Sequence, residues 1–144
     1  MRKIALVFAV LLIALLNSCS TVKTESLKEV FANTWELEYI SGTRIAFEGL
    51  FPDKKPELHF MEADKVVHGS TGCNGYRATY TLEGNTITIG EPGAMTMRYC
   101  EGGGEQAFLG MMKKVNKISI DKDGKLNLSL NEVPMMRFKK VVKE

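Results

Sequence analysis

The chain has 144 residues, with 19 Lys and Arg against 17 Asp and Glu, enough for one domain with a modest core. Arg2 and Lys3 are the only charges before residue 19, so the remainder carries 17 of each sign and is formally neutral. Neutrality without a basic cluster excludes recognition of a phosphate backbone, and no nucleic-acid partner is expected.

Met1-Arg2-Lys3 is a positive start, and Ile4 to Leu16 is an unbroken apolar run. A membrane-spanning helix needs about 20 such residues, so the run is too short to span and fits a secretory signal peptide over residues 1–18. Leu16-Asn17-Ser18-Cys19 resembles the lipobox of bacterial lipoproteins, in which a small residue precedes a cysteine that is acylated and becomes the new N-terminus. Cys19 is thus the expected lipidation site. Asn17 departs from the commoner residue at its position, and the alternative is an ordinary signal peptide beside an incidental cysteine. Several acyl chains hold a domain to a bilayer without a spanning segment, whereas one holds it marginally. Ser20 is not an acidic retention signal, and by resemblance to enterobacterial sorting it points to the outer membrane, facing the periplasm. Residues 19–29 read as a tether. Within it, Ser26-Leu27-Lys28-Glu29 has capping-box spacing, which supports one or two helical turns before Asn33.

Trp35, Leu37 and Tyr39 alternate with Glu36 and Glu38, the period of a strand with one apolar face. Arg44 to Glu48 is expected as a short strand and Leu50 to Lys55 as a loop closed by Pro56. Leu58 and Phe60 face inward from the next strand, and Lys65 to Ser70 forms another. Asn74-Gly75 has the composition of a tight turn with positive φ. Tyr76, Ala78, Tyr80 and Leu82 share one strand face, Ile87 and Ile89 continue the sheet, and Pro92-Gly93 breaks it before an extended Ala94 to Arg98. Gly102-Gly103-Gly104 reads as a flexible joint. The period then changes: Phe108, Met111, Met112 and Val115 fall at helical spacing, placing one helix over about 105–115. Ile118 and Ile120, then Leu126, Leu128 and Leu130, make a hairpin around Asp123-Gly124, and Met136 and Phe138 mark a last strand after Pro134. The fold class is mainly β (α+β), an antiparallel sheet that closes or nearly closes on itself with one packed helix.

Trp35-Glu36-Leu37, Gly69-Ser70-Thr71-Gly72-Cys73-Asn74, and Thr96-Met97-Arg98-Tyr99-Cys100 followed by Glu105 and Phe108 resemble the META domain family, which includes HslJ-type heat-inducible proteins. The match spans roughly residues 30–142. The resemblance implies a small antiparallel, barrel-like domain with a packed helix, no established enzyme chemistry, and a loose link to envelope stress, drug tolerance or secretion.

For Cys73 and Cys100 three readings stand: a disulfide, buried free thiols, or a metal or redox role. There is no Cys-x-x-Cys and no histidine at ligand spacing. The resemblance and an oxidising compartment favour the disulfide. His59 and His68 lie in no metal-ligand motif and read as solvated strand histidines. Asn74 suits its turn but has an amide that a ligand could use, and Arg98 with Arg77 is a candidate polar patch. The methionines read as core filler rather than as a copper site. No metal, cofactor or catalytic residue is expected. The expectation is therefore a monomeric, lipid-anchored, non-catalytic envelope protein with a binding or stress-maintenance role. The alternatives are an inhibitor of a cell-wall hydrolase or a small-ligand binder, and behind these a hydrolase using Asp53, Glu57 or Glu101 with a histidine.

Overall fold

Alternating apolar side chains drive most of this chain into strands, because a strand presents successive residues to opposite faces. The computed structural model describes residues 27–142. The expected signal peptide, the expected lipidation site Cys19, Ser20 and the expected tether as far as Ser26 lie outside the described residues. A helix, α1, covers 27–32. It is followed by β1 (Trp35–Ile40), α2 (Phe47–Leu50), β2 (Glu57–Met61), β3 (Val66–Ser70), β4 (Gly75–Glu83) and β5 (Thr86–Met95). Then come α3 (Gly104–Met112), β6 (Lys117–Ile120), β7 (Leu126–Leu130) and β8 (Val133–Lys140).

Each strand pairs antiparallel with the next, and β8 returns to β1, so the sheet closes into a ring. The ring has two thin places. β1 meets β2 through Trp35↔Leu58 and Glu36↔Glu57, and β5 meets β6 through Thr86↔Lys117. The inward residues fill the interior: Trp35, Leu37, Leu58, Phe60, Ile87, Leu126, Leu128, Met136 and Phe138 are buried. Burying one such side chain contributes about 1.5–3 kcal/mol. Phe60 and Tyr80 meet edge to face at 5.2 Å, and Tyr76 and Phe108 at 5.7 Å. Trp35 donates its indole N–H to the Val30 carbonyl at 3.0 Å. This ties α1 to β1, while Leu27 packs against the core. Residues 27–29 thus belong to the folded domain, although the sequence places them in the tether.

Several local expectations are corrected. Tyr39 does not share the face of Trp35 and Leu37. Leu37 pairs with Phe138 and Tyr39 with Arg137, so Glu38 is an extra residue on β1. A bulge of this kind shifts the side-chain phase, which sends Tyr39 outward and Ile40 inward. The segment expected as a strand over Arg44 to Glu48 runs instead into α2, whose Leu50 is buried. Pro92-Gly93 does not end the sheet. β5 continues to Met95, and the register against β4 slips on either side of Ala78, which pairs with Pro92. Proline lacks an amide donor and is tolerated where a ladder is interrupted.

Gly102 to Gly104 is not a loose joint. A Cβ on Gly104 would lie 2.2 Å from the Leu50 carbonyl oxygen and 2.6 Å from the Phe51 ring. Gly102 and Gly104 are required because the start of α3 presses on the end of α2, whereas Gly103 has only its positive φ of +71° to favour glycine. α3 then buries Phe108, Met111 and Met112, and Val115 follows them inward. The apolar face that the helical spacing indicated is the face that packs.

Candidate functional site

The β3–β4 hairpin supplies the centre of the site. Ser70 pairs with Gly75, and the Thr71 N–H donates to the Asn74 carbonyl at 2.8 Å, leaving Gly72-Cys73 as a two-residue turn. Gly72 has φ +89°, and a Cβ there would meet the Lys54 carbonyl oxygen at 2.6 Å. Gly at the first central position with positive φ is the pattern of a type II′ hairpin. The turn thus centres one residue earlier than Asn74-Gly75. Neither Asn74 nor Gly75 has a positive φ, which corrects the turn role expected for Asn74.

Asn74 is instead a buried bracket. Its side-chain oxygen accepts the Arg98 backbone N–H at 2.8 Å and the Thr96 hydroxyl at 2.8 Å. Its side-chain nitrogen donates to the Arg98 carbonyl at 2.9 Å and to Glu105 Oε2 at 3.0 Å. The amide therefore pairs with both backbone groups of Arg98, as a neighbouring strand would, after β5 has ended. Thr71 donates its hydroxyl to the same Glu105 oxygen at 2.6 Å and accepts the Asn74 N–H at 2.9 Å. The Thr96 hydroxyl accepts the Gly75 N–H at 3.1 Å. The Arg98 guanidinium turns back to donate to the Cys73 carbonyl at 2.9 Å. Buried polar groups cost free energy unless they are bonded, and Asn74 has every polar atom of its side chain bonded.

Cys73 and Cys100 form a disulfide with Cα atoms 5.9 Å apart. The bond fixes the far end of the segment that Asn74 holds at Arg98. Met97, between the Asn74-bonded Thr96 and Arg98, and Tyr99, between Arg98 and Cys100, project into solvent, 95% and 90% exposed. Beside the segment lies an open groove of about 990 Å³. Its walls are the chain after α2 from Phe51 to Lys54, the hairpin from Ser70 to Cys73, and the segment from Thr96 to Glu101. Asp53 and Glu101 line it together with Lys54 and Arg98, so its charge is mixed.

The structure thus brings Cys73, Cys100, Asn74 and Arg98 to one end of the ring. It also adds Thr71, Thr96 and Glu105, whose roles the sequence did not show, although all three belong to the motif on which the resemblance rests. His59 and His68 are elsewhere, on the outer face of β2 and β3. Neither lines the groove with Asp53 and Glu101. Glu57 borders the histidines rather than the groove, and Lys54 lies 3.6 Å from it. Among the described residues no group of three or more His, Cys, Asp and Glu side chains is placed to hold a metal.

Tyr76, from β4, sits beneath this end. Its hydroxyl is buried without a hydrogen-bond partner among the described residues. Burial pushes its pKa far above the usual phenol value, because ionisation in that setting would be unsolvated.

These features define a class: small, mainly-β domains whose sheet closes on itself and whose one end is locked by a disulfide and a buried polar network. The family model for the META domain matches residues 26–142, and the chain belongs to the META domain family. That family is not a known enzyme family. Among solved structures, the chain is similar to a protein from Burkholderia xenovorans determined by NMR. The two are 18% identical with a TM-score of 0.61, and the match covers 81% of this chain and 86% of that one. At that identity the likeness concerns the fold alone. No match is found among curated proteins.

Proposed function

We propose that this is a non-catalytic, lipid-anchored envelope protein. In this reading Cys19 carries the acyl chains, and the META domain stands off the outer membrane in the periplasm to bind a partner. The observation that carries the binding role is the Thr96–Glu101 segment. It is fixed at Arg98 by Asn74 and at Cys100 by the disulfide, yet it exposes Met97 and Tyr99 almost completely. Large apolar side chains presented on a restrained backbone lose little conformational freedom on association, which favours affinity. A partner protein is the fitting ligand for such a surface, and envelope-stress protection or maintenance is the role it would serve.

The same observation favours a second reading, in which the stapled segment inserts into the cleft of a cell-wall hydrolase and inhibits it. Disulfide-restrained projecting segments suit that use because they are already in their bound shape.

A photo-crosslinking residue placed at Tyr99 in intact envelopes tests the binding role. The expected result is a discrete adduct that disappears on Met97→Ser and is absent with the crosslinker at Tyr39, an exposed side chain that does not line the groove. Equal adducts at Tyr39 and Tyr99 would overturn it. The anchor is tested by acyl labelling of Cys19→Ala, which should abolish incorporation and leave the signal peptide uncleaved by the lipoprotein route. Undiminished label would remove the lipid from the proposal.

A further inference from the structure

His59 and His68 are nine positions apart in sequence, and nothing in their spacing links them. The β2–β3 register sets them directly opposite each other, with ring centroids 5.4 Å apart and planes inclined at 62°. His59 is half-buried and His68 exposed. Both border a hollow of about 410 Å³ that Thr34, Glu57 and Met61 also line.

The ring of His59 is oriented by a second contact. Its Nδ1 lies 2.9 Å from the Asn33 carbonyl oxygen. A carbonyl can only accept, so Nδ1 carries the hydrogen, and in the neutral ring Nε2 keeps a free lone pair. Metal-ligating histidines are held in this way, one nitrogen donating to a backbone carbonyl while the other faces the ion. The Asn33 carbonyl is available because α1 ends at 32, before β1 begins.

We propose that His59 and His68 form an open, two-imidazole docking site for a late first-row divalent cation, Cu2+ before Zn2+. Imidazole nitrogen suits both ions, and the general affinity order places copper above zinc. The two rings supply two ligands, the hollow leaves room for water at the remaining positions, and the Met61 thioether and Glu57 carboxylate stand on the same outward face of β2. The charges facing the pair are Arg77, opposite His68 on β4, and Glu57, which Lys54 partly offsets. His68 is held below the usual imidazole pKa by burial first, then by His59 and by Arg77. A neutral ring at pH 7 is the form that ligates. The groove beside the disulfide plays no part in this site, so the inference stands apart from the proposed binding role.

The test uses the full chain in detergent carrying Cys19→Ser, which removes the thiol as a competing ligand. CuCl2 and ZnCl2 are titrated at pH 7.5 with MgCl2 as control, and binding is followed by calorimetry and by the imidazole proton resonances. The expected result is one Cu2+ per chain, weaker Zn2+ and no Mg2+, with both histidine signals perturbed together. His59→Gln and His68→Gln should each weaken Cu2+ by on the order of ten-fold or more, and binding should weaken as the pH is lowered, because protons compete with the metal for imidazole nitrogen. Unchanged affinity in both variants, or equal binding of Mg2+, would overturn the proposal. Should either variant melt early, the Cys19→Ser chain with both histidines decides alone. Copper broadening centred on His59 and His68 upholds the site, and broadening centred elsewhere or absent removes it.

Discussion

Reducing the Cys73–Cys100 bond should destabilise the domain strongly while leaving α3 in place. The paired cysteines are 27 positions apart, and closing a loop of that length removes about 3.5 kcal/mol of chain entropy from the unfolded state. With an unfolding entropy of about 2.1 cal/mol/K per residue, each kcal/mol moves the melting temperature of a domain this size by about 4 °C, so the fall should be about 14 °C. Two sets of restraints remain after reduction. Asn74 still holds Arg98 and Glu105, and Gly104 still lies against Leu50 and Phe51. Phe108 is fully buried in the same helix. The freed part is therefore the short run from Tyr99 to Glu101, and the helix does not lift. Thermal melts with and without reductant, with Cys73→Ser and Cys100→Ser alongside, measure the first claim. The two single variants should match the reduced wild type, because each loses the same bond. Hydrogen exchange of the Gly104–Met112 amides in the reduced domain measures the second. A melting temperature unchanged on reduction, or helix amides that exchange freely well below the melt, would refute the reasoning.

Other outcomes follow from single contacts. Tyr76→Phe removes a buried hydroxyl without a partner and should raise stability by about 1 kcal/mol in urea unfolding, whereas a loss would mean that the hydroxyl is bonded. Gly104→Ala should cost about 2–3 kcal/mol because a Cβ would strike the Leu50 carbonyl, and overpacking of that size is not relieved by side-chain motion. Gly103→Ala, where φ is +71° but nothing lies within 4 Å, should cost about 1 kcal/mol from backbone strain; equal losses at the two positions would contradict the close approach. For His68 the folded pKa is below its ordinary value of 6.5, so the unfolded chain binds the proton more readily. Its contribution is therefore present above about pH 6.5 and lost as pH falls through the folded pKa. Urea midpoints between pH 7.5 and 5 should fall, and His68→Gln should flatten that slope.

The strands were legible wherever alternation was clean. Leu58 with Phe60 and Tyr76 with Ala78 and Tyr80 announce their inward faces, as do Phe108, Met111 and Met112 at helical spacing. What was not legible depends on partners distant in sequence. The bulge at Glu38 is set by the register against β8, and the passage of β5 through Pro92 by the slip against β4. Gly102 and Gly104 looked flexible because composition records freedom and not the neighbour that demands it. At the site, the cysteines, Asn74 and Arg98 could be picked out as residue types, but Asn74 was misassigned. An asparagine before glycine suits a turn, and only the fold shows that its amide serves as a strand partner for Arg98. The histidine pair was invisible for the same reason, since cross-strand register is a property of the sheet.

The return of β8 to β1 gives this chain a dependence on its own completeness. β1 finds its longest partner in the last strand made, and the ends are fastened there by the Val141 N–H to the Thr34 carbonyl and by the Lys140–Glu29 ion pair. A product cut short before Val133 would leave β1 and β7 with bare edges and uncover Trp35 and Leu37. Such edges recruit other strands. Partial chains would thereby be open to pairing with other strands, whereas in the finished domain Glu29 and Lys140, near the two ends of the described residues, sit side by side.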